Sequence, residues 1–387
     1  MARSGPRAID EYNHLLKAQN VKSLLPIGCL FAASVVQAQS NVAIYGIIDA
    51  AVGVSASGNG AGSIKRVDSG VGPASRLGFR GREDLGGGLR AEFVLEQGIG
   101  IDVGALQPGG LGFGRQSWAG FGTKDWFVSA GRQYSQMDEA FARSSAAVFF
   151  YWGSPIGVGF GGNASPKATP SSGGFQATDR ISNSVKLAFG GQNLGGSVYV
   201  GAGDEAPSGS GHIWGGGVYY SEGAFRVDVA YNRYRQYAAD IPANAGPAWA
   251  FDGFVGASYD FGAVKVNAAY YLANPSEANT VLVAATTLKT KAMWIGARVP
   301  VGSSTFIAQV INAQYDHIAG VTQGKATTLQ LAYEYSLSKQ TTLYASFGQV
   351  ANNATGNQVL TAGSNAVAAT GFGADPKAAS VGITKRF

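Results

Sequence analysis

The feature of this chain that most limits its fold is an alternation of apolar and polar residues at a spacing of two. Leu329, Leu331, Tyr333, Tyr335 and Leu337 stand against Gln330, Ala332, Glu334 and Ser336. Val264, Val266, Ala268, Tyr270 and Leu272 oppose Lys265, Asn267 and Tyr271, and Phe225, Val227, Val229 and Tyr231 oppose Arg226, Asp228 and Asn232. Met293, Ile295, Ala297 and Val299 oppose Trp294 and Arg298. Successive side chains of a strand point to opposite faces, so each stretch reads as a strand with one apolar and one polar face. Each also has about the 9–11 residues that a tilted strand needs to cross a bilayer. Between Ser75 and Gly98 two such runs meet across a Gly-rich turn. Arg76, Arg80, Arg90, Glu92 and Glu96 interleave there with Leu77, Phe79, Leu89, Ala91, Phe93 and Leu95.

The connections narrow the choice further because their lengths alternate. Short ones fall at 83–88, 123–125, 190–195, 221–224, 260–263, 300–304 and 337–340. Longer Gly, Ser, Asn, Ala and Pro-rich segments fall near 55–63, 98–113, 134–178, 203–211, 236–248, 273–288, 316–324 and 351–372. Together they join sixteen strands, an even number with tight turns at one rim and long loops at the other. The 57 Gly, 17 Tyr and 20 Phe beside only 14% charged residues fit many short strands joined by turns. A soluble β-sandwich also alternates, but it needs no long-short rhythm and would leave edges to protect. The expectation is an all-β, 16-stranded antiparallel transmembrane barrel. Past the N-terminal region no run of 18 apolar residues exists, which excludes a helical membrane protein.

Residues 1–38 read as a leader. Lys22 precedes the apolar run SLLPIGCLFAASVV, and Val36-Gln37-Ala38 fits a secretory cleavage site, leaving 39–387 as the mature barrel. Val21-Lys22 begins a leader of ordinary length, so residues 1–20 read as an over-extended start. The single cysteine, Cys29, falls inside the leader, which removes disulfides, thiol catalysis and thiolate metal sites from the mature chain. The mature chain carries 25 basic against 22 acidic residues, a balance of +3 that makes no case for nucleic acid. No cofactor or metal is expected.

Several segments carry a family resemblance: NVAIYGIIDAAVGV (41–54), SRLGFRGREDLGGGLRAEFVLEQG (75–98), GRQYSQMDEAF (131–141), DRISNSVKLAF (179–189) and SVGITKRF (380–387). Together they resemble the Gram-negative general porins of the betaproteobacterial trimeric type, from about Gln39 to Phe387. The resemblance implies a homotrimer in the outer membrane, among lipid and lipopolysaccharide. It also implies a third long loop folded into the lumen as a constriction, and a water-filled path for small hydrophilic solutes. The terminal Phe387, with Ile383 and Val381 at spacing two, resembles the assembly signal of such barrels, with Lys385 interrupting its register.

A pore needs no catalyst, only a hole and a field inside it. Alternation turns Arg76 inward with Gly78 and Arg80. Arg115 and Arg180 match the basic ladder on the wall of the family, and that role extends to Lys186 and Arg90. Asp49, on the face of Tyr45, is expected in the lumen, and Glu92 and Glu96 are expected only to line the wall. Family members often set acidic residues of the third loop against the arginines. Here Asp138 and Glu139 open that loop, but no Asp or Glu occurs from Ala140 to Thr178, whereas Arg143 and Lys167 do. The expectation is a constriction of unpaired arginines that prefers anions. FFYW (149–152) is expected to pack the loop on the inner wall, with a greasy track for solutes as the other use. GFGG (159–162) turns the backbone sharply and lacks the context of a phosphate loop.

Two other classes compete. A barrel hydrolase would need a nucleophile and base, and beyond His14 only His212 and His317 remain, the latter beside Asp316. A solute-specific channel for phosphate or an organic anion would share the same fold.

Overall fold

The computed structural model describes residues 41–160, 179–203, 212–235, 249–274, 288–317 and 324–387. The leader, Lys167, and Gly161 and Gly162 of the GFGG segment lie outside the described residues, as do the side chains of Asp316 and His317. No helix among the described residues is long and apolar enough to cross a membrane.

One antiparallel sheet closes on itself. Its staves are β1 (Asn41–Ala56), β2 (Ile64–Ser69 and Arg76–Gly86), β3 (Leu89–Gly100) and β4 (Ala105–Gln107 and Gln116–Gly122). They continue with β5 (Trp126–Tyr134), β6 (Arg180–Gly190), β7 (Leu194–Ala202), β8 (His212–Glu222), β9 (Phe225–Arg235) and β10 (Trp249–Asp260). The last are β11 (Lys265–Asn274), β12 (Leu288–Val301), β13 (Ser304–His317), β14 (Gly324–Ser336), β15 (Thr341–Asn352) and β16 (Lys377–Arg386). The sheet's eighteen hydrogen-bonded segments make sixteen staves, because β2 and β4 are each interrupted once. β16 returns to β1 with Ile47 opposite Arg386 and Ala56 opposite Lys377, so no edge remains and the sandwich is excluded.

The barrel is inside out relative to a soluble protein. Val52, Val200, Met293, Ile295, Leu331 and Val381 are exposed on its outer face, while Asn232, Asp252, Gln309, Gln330 and Thr384 are buried on its inner one. Such a surface is stable only where hydrocarbon bathes the outside. Phe121, Trp126, Phe189, Tyr220, Phe225, Tyr259 and Tyr335 crowd the outer face beside the short turns, an aromatic girdle at that rim.

Three segments fold inward. The third long loop starts with α1 (Gln136–Arg143), capped by Ser135, whose side chain accepts from Asp138 N at 3.1 Å. The break in β2, residues 70–75, tucks the fully buried Val71 beneath Tyr151, whose N–H donates to the Val71 carbonyl at 2.6 Å. The last long loop forms a small hairpin, Leu360–Ala362 with Asn365–Val367, and its Thr361 carbonyl accepts from the N–H groups of Gly153 and Ser154. Alternation alone predicted neither the interruptions nor this hairpin.

Candidate pore constriction

The third loop crosses the inside of the barrel along one half of its wall. Phe141 of α1 packs on Phe254, Tyr271 and Trp294, with ring centroids 4.8, 5.0 and 5.0 Å away. Beyond the helix the loop is fastened stave by stave mostly with neutral groups, an exception being Glu334, whose Oε1 accepts from the Tyr151 hydroxyl at 2.8 Å. Trp294 Nε1 donates to the Ser144 carbonyl (2.9 Å), and Ala146 N donates to Gln309 Oε1 (3.0 Å). Gln330 Nε2 reaches the Phe150 carbonyl (2.8 Å), and Trp152 Nε1 donates to Ser380 Oγ (2.8 Å). Trp152 and Tyr151 are buried and Phe149 and Phe150 lie against the same core, so FFYW packs rather than presenting a track.

Opposite this belt, β2 to β6 carry the charges. Tyr45 and Gly78 are register partners, and a Cβ at Gly78 would fall 2.6 Å from the Tyr45 hydroxyl. With that room the Tyr45 ring lies across Gly78, and its O–H donates to Glu96 Oε2 at 3.0 Å. Glu96 is the hub: Arg115 Nε donates to its Oε1 at 2.7 Å, and Arg76 Nε stands 3.6 Å from its Oε2. Arg115 Nη2 continues to the Tyr134 hydroxyl at 2.7 Å, which also accepts from Arg180 Nη2 at 3.0 Å. Arg180 Nη1 pairs with Asp179 Oδ2 at 2.6 Å. The three arginines read from sequence thus form one ladder, but they are paired, which corrects the expectation of unpaired arginines. Glu96, expected only to line the wall, sits between two of them.

The remaining residues singled out from sequence fall in three places. Arg143, Lys186 and Glu139 form a second network: Glu139 accepts from Arg143 Nη2 (2.8 Å) and Lys186 Nζ (3.0 Å). Burial works to raise the Glu139 carboxyl, but Lys186 and Arg143 prevail and hold it at about 2. Arg143 also stands 3.7 Å from Asp228, itself paired with Arg226 at 2.8 Å. Glu139 therefore fastens α1 to the wall instead of facing the arginine ladder. Arg90 stands by the short turn, bonded to Glu92 at 2.6 Å and 5.2 Å from the Phe127 ring, well below the ladder. Asp49 does face inward, but it is sealed under residues 70–75. It accepts from Thr384 Oγ1 (2.6 Å), Tyr344 OH (2.9 Å) and Gly72 N (3.1 Å). It is fully buried and offers no surface to the channel, a correction to its expected role. Phe387 lies over Gly46 on the outer face, with backbone bonds to Gly46 in both directions at 3.0 and 3.1 Å.

Arg66 and Asp68 were not singled out from sequence. They form a bidentate pair on β2, with the Arg66 guanidinium 5.3 Å from the Trp152 ring. Their alternation in IKRVDS was readable, but only the inward course of the third loop brings Trp152 to them.

Comparisons with known proteins agree with this architecture. A family described as Gram-negative porin matches residues 27–355. The outer membrane porin protein 32 of Delftia acidovorans is 28% identical over 337 residues, covering 86% of this chain and 90% of that one. An outer membrane porin of Bordetella pertussis is 26% identical, covering 86% and 94%. Among solved structures, an anion-selective porin from Comamonas acidovorans superposes with a TM-score of 0.72 at 23% identity, over 90% of this chain and all of that one. The trimer form of OmpT, an outer membrane protein of Vibrio cholerae, gives 0.63 at 17% identity, over 90% and 99%. With a closed sixteen-stave barrel, an inward third loop and a family match over most of its length, the chain belongs to the Gram-negative porin family of the outer membrane.

Proposed function

We propose that the channel passes small hydrophilic solutes with a preference for anions, and that the preference comes from the order of charges within ion pairs inside the barrel. In four of them the guanidinium stands in front and the carboxylate behind, whereas in the network that fastens α1 the order is reversed, Glu139 at 14% against 11% for Arg143 and 12% for Lys186. Side-chain exposure is 21% for Arg76 and 11% for Arg115 against 6% for Glu96. It is 21% for Arg66 against 7% for Asp68, and 26% for Arg298 against 15% for Glu334. An ion moving along this wall meets the positive end of each pair, whose field in a narrow, partly desolvated passage exceeds that of the acid behind it. The anion-selective structural neighbour from Comamonas acidovorans supports the same reading.

Reversal potential across a planar bilayer in a salt gradient tests it. The expected sign is anion-selective, and replacing Arg76 and Arg115 together with Gln moves the potential toward zero; a cation-selective sign overturns the proposal. Conductance that saturates at low concentration of one anion would instead mark a solute-specific channel. We read the working unit as a homotrimer, supported by the trimeric neighbour, and expect closure in three steps. The outer apolar face is read as meeting acyl chains and lipopolysaccharide, and the chain as having no catalytic activity of its own.

A further inference from the structure

The third loop does not simply lie on the wall; the wall is recessed to receive it. At four places behind the loop the inward-facing wall residue is glycine, and at each the loop occupies the volume a side chain would take. A Cβ at Gly217 on β8 would stand 2.8 Å from Gln136 Cγ and closer still to the Val229 carbonyl of the neighbouring stave, so there the wall shares the crowding. One at Gly256 on β10 would collide with the Ser144 side chain. At Gly296 on β12 it would stand 2.8 Å from Ala146 Cβ, and at Gly348 on β15 it would overlap the Trp152 carbonyl carbon and lie 2.6 Å from Gly153 N. Ordinary contact begins at 3.4 Å. None of the four has a positive φ, so the backbone does not require glycine there; the room does.

Each recess lies beside a bond from wall to loop. Ser197 Oγ donates to Gln136 Oε1 (2.8 Å), Trp294 Nε1 to the Ser144 carbonyl (2.9 Å), Ala146 N to Gln309 Oε1 (3.0 Å) and Trp152 N to Ser346 Oγ (2.9 Å). The bonds fix where along the wall the loop sits, and the glycines fix how close. The loop stands between the wall and the water, so a side chain added behind it pushes the loop toward the lumen.

We propose that Gly256, Gly296 and Gly348 set the calibre of the channel, although none of them faces the solute. They are positioning residues acting through the loop. The inference rests on reading the path as running between the third loop and the β2–β6 wall. At Gly296 the contact falls 0.6 Å short of 3.4 Å, and at Gly348, against backbone, the shortfall is larger.

The test is single-channel conductance of Gly296→Ala, with liposome swelling in sugars of increasing size. The expected result is lower conductance and a lower size cut-off at an unchanged reversal potential. Ala146→Gly, added to Gly296→Ala, removes the loop atom in conflict, leaving the Gln309 side chain of the wall at 2.9 Å, and should restore most of both. Gly253→Ala, at a β10 position with nothing within 4 Å, should change neither. Wild-type conductance and cut-off in Gly296→Ala, or no restoration by Ala146→Gly, overturns the proposal. Should Gly296→Ala fail to fold, Gly256→Ala with and without Ser144→Gly gives the same reading, and a folding failure that neither partner change cures also overturns it. A wild-type chain that conducts nothing would sink the channel path itself, which separates the two failures.

Discussion

The two halves of the barrel interior solve different problems with different residues. On the β2–β6 side, guanidinium and carboxylate groups form paired ladders beside the water. On the β10–β16 side the third loop is held mostly by amides, hydroxyls, indoles and aromatic rings, among them Gln309, Gln330, Ser346, Ser380, Phe254 and Trp294, with a charged pair, Arg298–Glu334, whose carboxylate accepts from the Tyr151 hydroxyl. The division follows the cost of burial. A charge taken fully out of water loses several kcal/mol that pairing only partly returns, whereas a neutral hydrogen bond contributes about 1 kcal/mol net and leaves little to repay. The half that must be sealed is therefore mostly neutral, and the half that must act on ions stays wet enough to keep its charges. The Glu139 network marks the seam, where α1 leaves the charged wall for the neutral one.

If this division is right, damage on the neutral side should alter the opening without altering its sign of selectivity. Phe141→Ala gives the largest effect: it empties a site surrounded by Phe254, Tyr271 and Trp294 and should cost about 3–5 kcal/mol of loop packing. The expected outcome is noisier, larger conductance and protease cleavage within the third loop, at an unchanged sign of reversal potential. A reversed sign would break the comparison.

Damage on the charged side should do the opposite. Glu96→Gln removes the one carboxylate shared by Arg76 and Arg115 while keeping the shape of the site. Stability should fall by about 1.5–3 kcal/mol, the range for hydrogen bonds to a charged group. Anion preference should rise while conductance noise stays at the wild-type level. A drop in anion preference would show that Glu96 is not the acid behind the ladder.

Alternation made the sixteen staves legible because the outer faces are predominantly apolar, and that pattern also turned Arg76 inward. It could not reveal Glu96 as a hub. That role depends on register: Tyr45 opposite Gly78, Gly78 opposite Glu96, and Glu96 opposite Gln116, next to Arg115. Register between staves is not written within either one. Asp49 failed for a related reason. Its face was read correctly, but the segment covering it, GVGPAS, was not read as a break, and its glycines and proline do not say where such a break would fold. The inward hairpin of the last loop had no periodic signal at all, because three-residue strands are too short to show one.

The smallest effect separates the two halves by a single proton. Asp138 lies in the first turn of α1, within electrostatic reach of Arg180, Asp179, Glu139 and Arg115. Burial pushes its carboxyl up to about 8, with Arg180 opposing the rise. Below that pH the group is neutral, and the guanidinium groups of Arg76, Arg115 and Arg180 face the two carboxylates of Glu96 and Asp179. Above it a third carboxylate ionises beside them and the local excess of positive charge disappears. Anion preference should therefore decline between about pH 7 and pH 9, read as a drift of reversal potential toward zero. Asp138→Asn should keep the pH 6 value throughout that range, since an amide has no proton to lose. If the drift persists in Asp138→Asn, the titrating group lies elsewhere, and the ladder does not take its net charge from the helix that the third loop brings against it.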